Sequence, residues 1–481
     1  MSLRIGSFRA FAAAIAFASL LFLISSQATQ AKARQLTILH FNDLHGYLEA
    51  RPDGGGAARI ATIVKGVREE NRLRGVDTLV LFGGDAFTGT LISNEYEGAT
   101  EFDFLDSLGI DAMVIGNHEF DFGVPRFEEL AASASFPILS ANTFWKEDGR
   151  RFAKPCAVTG TGVSIVGLTT QQTRTSTLPE NVASLVFKNP VKEAKSALRL
   201  KECRAPVSIA LTHLGVRGDI SLAKKVKDFD AVIGGHDHVP PSQYCRTVKK
   251  IPVCQTPANG KYVGRVDLTL DGGRVTESRE ILIPVDAKVA KDEETASLIE
   301  RYAKNLKGKY DRVIGTAKKD MPAKGKGQTE LGAIVAESMK IKGKAEIAFI
   351  NTTGLRAPLA KGKIRLRDLA EVLPFRNYLV IMDLTGAEVE KVLSHGIKRR
   401  GEGGLQVAGI SFDVVGKKPV DIRIGGTPVD TSKKYRAATV DFLASGGSGF
   451  SMLKKVSGVK PTGILVRDAA ADYIKSRKVV P

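Results

Sequence analysis

Histidine and aspartate, set beside asparagine and glycine, mark a few short loops in this 481-residue chain. In order they are Asp43 and His45 in Asn-Asp-Leu-His, Asp85 after Gly83-Gly84, Asn117 and His118 in Gly-Asn-His-Glu, His213, and His236 with His238 in Gly-Gly-His-Asp-His. Imidazole nitrogens together with carboxylate and amide oxygens suit borderline divalent ions such as Zn²⁺, Mn²⁺, Co²⁺ or Fe²⁺. A carboxylate shared by two ions, with neutral ligands completing each site, holds them roughly 3.5–4 Å apart. Such a pair lowers the pKa of a water towards about 7 and supplies hydroxide at neutral pH. Any one of these residue pairs alone reads as an ordinary loop; the ordered series points to two metals. His40 and His395 lie outside it and read as structural or surface residues.

The elements that must position these groups are visible just upstream of each loop. Short apolar runs at 36–41, 78–82, 112–115, 207–211 and 231–233 each end at one of the polar clusters. Runs of that length and composition are expected of strands buried on both faces. Their alternation with helical stretches predicts an α/β fold. In open α/β sheets, ligands gather beyond the carboxyl ends of the strands, where these clusters fall. The flanking glycines let the backbone turn sharply enough for the side chains to converge.

A chain of this length is expected to split into two domains. Composition changes near Asp286: residues 286–310 are charged and alanine-containing, and read as a helix joining a unit at 34–285 to a second at 311–481. The second unit has a helix-like stretch at 329–340, a strand-like stretch at 347–350, a β-rich end, and small-residue loops at 351–354, 401–404 and 445–449. No repeat of fixed period is present.

Hydrophobic and charged contents of 43% and 25% exclude a disordered chain. The net charge of +18 is spread along the sequence without a dense basic run or an aromatic-interleaved motif, so nucleic-acid binding is not expected. A basic surface favours anionic small molecules by steering. Arg4 and Arg9 precede an apolar run at 10–24 and small or polar residues through Ala33, the layout of an export signal with Ala31-Lys32-Ala33 as a candidate cleavage site. The run is shorter than the about 20 residues of a membrane span, so residues 1–33 are expected to be removed, leaving a soluble periplasmic or secreted protein, monomeric or weakly dimeric. Four cysteines permit two disulfides in that compartment, with three possible connectivities. The Cys245–Cys254 spacing suits a local loop or hairpin bridge, with Cys156 and Cys203 left as the other pair.

The order of the metal motifs resembles the calcineurin-like metallophosphoesterases. The string Gly-Asn-His-Glu-Phe-Asp-Phe-Gly at 116–123 resembles the 5′-nucleotidase branch in particular. The resemblance implies a four-layer β-sandwich flanked by helices, a linker helix, and a C-terminal α/β domain that recognises a nucleotide. It assigns Asp43, His45, Asp85 and His238 to one metal, and Asp85, Asn117, His213 and His236 to the other, with Asp85 bridging. His118 would stabilise charge on the reacting phosphate, oriented by Asp121.

The resemblance continues through the second unit. Asn351-Thr-Thr-Gly-Leu-Arg356 resembles a family loop whose arginine contacts phosphate. Leu-Pro-Phe375-Arg-Asn377 and the stretch from Asp441 to Phe450 resemble the segments that sandwich a base, so Phe375 and Phe450 are the expected stacking faces. Three departures surround this pocket. Thr352 and Thr353 replace glycines, Ser448 stands where aspartate is usual, and Val440 where asparagine is common. The implied activity is hydrolysis of 5′-nucleotides. Alternatives on the same scaffold are a 2′,3′-cyclic nucleotide phosphodiesterase, a UDP-sugar hydrolase, a thiosulfohydrolase, which needs no base sandwich, and a non-catalytic nucleotide-binding protein.

Overall fold

The computed structural model describes residues 34–51, 54–271, 273–325, 327–398 and 404–481. The export-signal reading of residues 1–33 and most of the small-residue loop at 401–404 fall outside these.

Five strands carry the polar loops: β1 (Arg34–Phe41), β2 (Asp77–Phe82), β3 (Ala112–Val114), β4 (Val207–His213) and β5 (Ala231–Gly234). Each begins or ends within about two residues of its sequence expectation. The first three lie in a six-stranded sheet with spatial order Arg274–Pro284, Tyr262–Asp271, β1, β2, β3, Ile138–Leu139. A second six-stranded sheet runs Cys245–Val248, Ile251–Gln255, β5, β4, Val163–Thr169, Cys156–Val158. Parallel pairing brings Phe41 level with Phe82 and Phe82 level with Met113, so three polar loops leave one sheet at the same edge.

The two sheets pack face to face. Ile38, Leu81 and Val114 of the first interleave with Ile165, Ile209 and Ile233 of the second in one buried cluster. The outer face of the first sheet is covered by helices that include Ala57–Arg74 and Ala99–Leu108, and that of the second by Pro190–Ala197 and Gly215–Lys225. These are the four layers expected. Both disulfides form, Cys245–Cys254 between residues directly opposite on adjacent antiparallel strands, and Cys156–Cys203 across 47 residues.

The joining segment is helical for only part of its expected length. Helix α1 (Glu293–Lys304) starts where Asp292 Oδ1 accepts the Thr295 amide, and a short turn of helix follows at Lys307–Tyr310. An acidic first turn and a basic last turn complement the helix dipole. Ile299, Ala303, Leu306 and Tyr310 bury into the first core, whereas Ile314 belongs to the second. The chain therefore passes between cores just after Tyr310.

The second core is built on a five-stranded mixed sheet, ordered Leu405–Ala408, β6 (Ile347–Asn351), β8 (Lys434–Val440), β7 (Tyr378–Thr385), Lys460–Leu465. Helix α2 (Glu330–Lys342) is capped by Thr329 Oγ1, which accepts the Gly332 amide at 3.0 Å, and packs on this sheet. Both units are mixed α/β.

Candidate metal centre and adjoining cavity

The backbone at the ligand loops is unusual. Asp43, His45, Asp85, His236 and His238 have φ of 51°, 49°, 57°, 100° and 48°. Non-glycine residues rarely occupy this region, and each costs of order 1–3 kcal/mol, so the surrounding contacts must impose it. Several of those contacts are identifiable. Glu119, fully buried, accepts the amides of Gly116, Asp85 and Ala86 at 2.6, 3.0 and 2.6 Å, clamping the β2 and β3 loops together. Asn42 bonds Asp43 Oδ2 at 2.6 Å and both the amide and carbonyl of Thr256, tying the ends of the two sheets. A Cβ on Gly116 would lie 2.2 Å from Asp85 Oδ1, so only glycine permits that approach.

These constraints aim ligand atoms at one another. His45 Nδ1 faces the carbonyls of Phe87 and Thr88 at 3.2 and 3.0 Å, and His213 Nδ1 donates to Gly83 O at 2.7 Å. The hydrogen therefore sits on Nδ1 and each Nε2 lone pair points inward. His45 Nε2 lies 2.9 Å from His238 Nε2, and Asp43 Oδ1 lies 3.8 and 3.4 Å from the same two nitrogens. His213 Nε2 is 3.0 Å from Asp85 Oδ2, with His236 packed against the His213 ring. Three overlapping groups result, Asp43/His45/His238, Asp85/His213/His236 and His45/Asp85/His118, each compact enough to hold one ion, and the first two fall within the ligand sets the resemblance implies.

The fit to cations can be tested on the protein's own atoms. Asp43 Oδ1 and Asn117 Oδ1 are buried and have no hydrogen-bond partner, and His213 Nε2 has only the Asp85 carboxylate it faces. A buried polar atom left unpaired costs about 1–3 kcal/mol. All three belong to residues that the family resemblance assigns to metals, and divalent cations would supply the partners they lack. Electrostatics agree. Burial lowers the His236 pKa to about 4 and holds His45 well below its usual range, leaving neutral rings suited to ligation. Burial also works against a charged His213, but Asp85 outweighs it and draws a proton on, to about 10; a cation beside Asp85 would take that proton's place.

His118 adjoins this cluster and is held differently. Its Nδ1 pairs with Asp121 Oδ2 at 2.6 Å, and its ring meets the edge of His45 and the face of Phe375, with centroids 5.0 and 5.9 Å away. Burial opposes its protonation, but Asp121 and Asp85 raise its pKa.

A cavity of about 810 Å³ opens from the cluster into the second unit. Asp85, Asn117, His118, Asp121, His236 and His238 line it from one side, and Asn351, Arg356, Phe375 and Asn377 from the other. Arg356 Nη2 reaches to 3.5 Å from His45 Nε2, and its guanidinium lies over the Phe375 ring. The two units also meet through Arg51–Glu371 at 2.9 Å, the Arg376–Glu97 ion pair, and Ser445 Oγ donating to Glu180 at 2.5 Å.

Phe450 requires a correction. Its ring is fully buried in the second core, edge-to-face with His395 at 4.4 Å, and does not line the cavity. Phe442, eight positions earlier in the same stretch, lines it together with Phe375. Both rings sit in one resembling segment, and only packing separates the core ring from the cavity ring. The threonines are accommodated without strain. Thr352 and Thr353 form a short 3-10 turn at negative φ, with Thr352 Oγ1 donating to Gly404 O at 2.8 Å and accepting from Gln406. Ser448 instead adopts φ 49°. His40 is a buried structural residue beside Tyr244, as expected. Sequence reasoning passed over Glu119, Asn42 and Phe442; Glu119 was within reach, since it completes the Gly-Asn-His-Glu string.

With this geometry in hand, comparison with known proteins is direct. The calcineurin-like phosphoesterase family model matches residues 36–240, and the 5′-nucleotidase C-terminal domain model matches residues 313–455. The fold and the site thus define a metal-dependent phosphoester hydrolase. Protein UshA of Escherichia coli is 30% identical over 93% of this chain and 92% of its own length. A 5′-nucleotidase of Vibrio vulnificus is also 30% identical, over 93% and 91%. The crystal structure of a 5′-nucleotidase precursor from Thermus thermophilus superposes with a TM-score of 0.83 at 29% identity, covering 93% of this chain and 97% of that one. The chain belongs to the 5′-nucleotidase family. Among the described residues, no helix is long and apolar enough to cross a membrane.

Proposed function

We propose that this protein hydrolyses 5′-nucleotides to nucleoside and inorganic phosphate. The observation that carries the reading is one continuous cavity that joins the two ligand triads to Arg356 and the Phe375/Phe442 pair. Asp43, His45, Asp85 and His238 would hold one divalent ion, and Asp85, Asn117, His213 and His236 the second. When bound, the ions activate water and neutralise phosphate charge.

The chain's own groups do the rest. Asp121 holds the Nδ1 side of His118, so the ring presents Nε2 to the cavity, where a protonated imidazole donates to charge developing on the phosphoryl group. Among the described residues Arg356 forms no ion pair with a carboxylate, and it offers its planar fork to phosphate oxygens. Phe375 and Phe442 clasp the base, and Asn351 and Asn377 supply polar edges to the nucleoside. The working division is a catalytic unit at 34–285, a linker at 286–310 and a nucleotide-recognising unit at 311–481. Export to the periplasm or beyond is supported by the signal-like residues 1–33 and by two disulfides, which persist in oxidising compartments.

The test is phosphate release by the purified protein from AMP, UMP, ADP, UDP-glucose, 2′,3′-cyclic AMP and an aryl phosphate, with Zn²⁺, Mn²⁺ or Co²⁺. Preference for 5′-nucleotides supports the reading. Release from the aryl phosphate alone leaves the metal centre and removes the nucleoside pocket.

A further inference from the structure

Asp121 is held from two sides. Its Oδ2 meets His118 Nδ1 at 2.6 Å, and its Oδ1 accepts a hydrogen bond from Thr177 Oγ1 at 2.8 Å. Thr177 is only 2% exposed, so water does not compete readily for that carboxylate oxygen. A carboxylate with a single partner can swing about its Cβ–Cγ bond; one gripped at both oxygens cannot, and its plane then fixes the imidazole plane. The segment that delivers the hydroxyl is itself anchored. Asn181 Nδ2 donates to both Phe120 O and Asp121 O at 2.9 Å, Thr173 Oγ1 donates to Thr170 O at 2.8 Å, and Glu180 takes the bond from Ser445 of the second unit. The Thr177–Asp121–His118 chain thus joins a loop 56 residues downstream of Asp121 to the ring that faces the cavity.

The geometry points to Thr177 as a positioning residue for His118, acting through Asp121. This rests on the role given to His118 under the proposed function. Thr177 also lines the cavity, but its side chain is nearly buried and its hydroxyl hydrogen is committed to Asp121, so its loss misaligns the imidazole while Arg356, Phe375 and Phe442 stay in place. The expected signature is a fall in turnover with little change in KM, and no distinction between a nucleotide and an aryl phosphate. Groups that orient a working side chain are commonly worth about 10–100-fold in activity.

The experiment compares wild type, Thr177→Val, Thr177→Ser, and Thr177→Val in an Asp121→Ala background, on AMP and on an aryl phosphate, with melting temperatures measured in parallel. Thr177→Val, nearly isosteric but without the hydroxyl, is expected to lower kcat about tenfold on both substrates with KM changed by less than about twofold. Thr177→Ser restores kcat, and in the Asp121→Ala background the valine has no further effect. A second readout needs no turnover. The ¹H–¹⁵N signal of the His118 Nδ1–H, identified by its loss in His118→Ala, should shift or broaden in Thr177→Val and return in Thr177→Ser. Unchanged kcat, a loss that serine does not restore, an equal loss without Asp121, or an unmoved imidazole signal overturns the inference. Wild-type activity on the aryl phosphate but not on AMP would remove the nucleotidase reading and still test Thr177 through the aryl substrate; wild type inactive on both leaves the imidazole signal to decide it.

Discussion

The two walls of the cavity are built on opposite principles. On the metal side, polar ligands sit at strand ends in backbone conformations that non-glycine residues avoid, with φ between 48° and 100° at Asp43, His45, Asp85, His236 and His238. On the recognition side, Asn351, Arg356, Phe375 and Phe442 have ordinary negative φ, and Ser448 is the exception at 49°. The metal wall is made of carboxylates, imidazoles and an amide; the recognition wall presents the Phe375 and Phe442 rings, the Arg356 and Arg376 guanidinium groups and Asn351, whose Oδ1 is also buried without a hydrogen-bond partner. A dinuclear centre tolerates errors of only a few tenths of an ångström, which justifies strain held in place by Glu119 and Asn42. A stacking face tolerates sliding, and asks only that an apolar ring be left uncovered.

The largest test of this contrast is metal removal. Chelation is expected to abolish hydrolysis of every substrate, to be reversed by added divalent ion, and to lower the melting temperature, since it leaves Asp43 Oδ1 and Asn117 Oδ1 unpaired. A chelated protein that melts unchanged would mean the cluster closes on itself without ions. Next, His118→Ala should cut kcat on the order of 10²–10³-fold, equally for AMP and an aryl phosphate. Loss confined to AMP would move His118 to the recognition wall.

The two phenylalanines divide recognition from packing. Phe450→Ala is expected to cost about 3–5 kcal/mol of stability, because it empties a core site, with KM little changed in the folded fraction. Phe442→Ala should instead raise KM for nucleotides about tenfold, the equivalent of about 1–3 kcal/mol of stacking, and leave the aryl phosphate alone. Denaturant unfolding and kinetics on the same samples separate the two; a reversed pattern would restore Phe450 as the stacking face.

The smallest effect concerns what lies beneath the strained loops. Glu101 is fully buried under Gly46, with one oxygen paired to Thr100 and the other without a partner, and burial raises its pKa from 4.5 to about 7. The folded protein then keeps a proton that the unfolded chain has lost, so stability falls as pH rises from about 4.5 to about 7 and levels off above it. Glu101→Gln, neutral throughout, should gain on wild type across that window by a few kcal/mol at most, read as the difference in urea midpoint between pH 5 and pH 7.5. A constant difference would show that the carboxyl is paired in solution.

By itself the sequence determined the α/β architecture and the five strands that end in polar loops; the metal residue set came from the family resemblance, and the disulfide pairing from a hairpin spacing that left the other connectivities open. Each was legible for a physical reason. Aspartates and histidines that recur just beyond several apolar strands report chemistry, whereas a single one such as the buried His40 of β1 does not, and short buried strands can be read from composition alone. Tertiary structure alone decided which phenylalanine faces the cavity, that Thr177 reaches Asp121, and that the joining helix packs with the first core. A buried ring and a stacking ring have the same composition and lie eight residues apart here. A hydroxyl that grips a carboxylate 56 residues away carries no local signal, because the pairing exists only once two loops have been folded together.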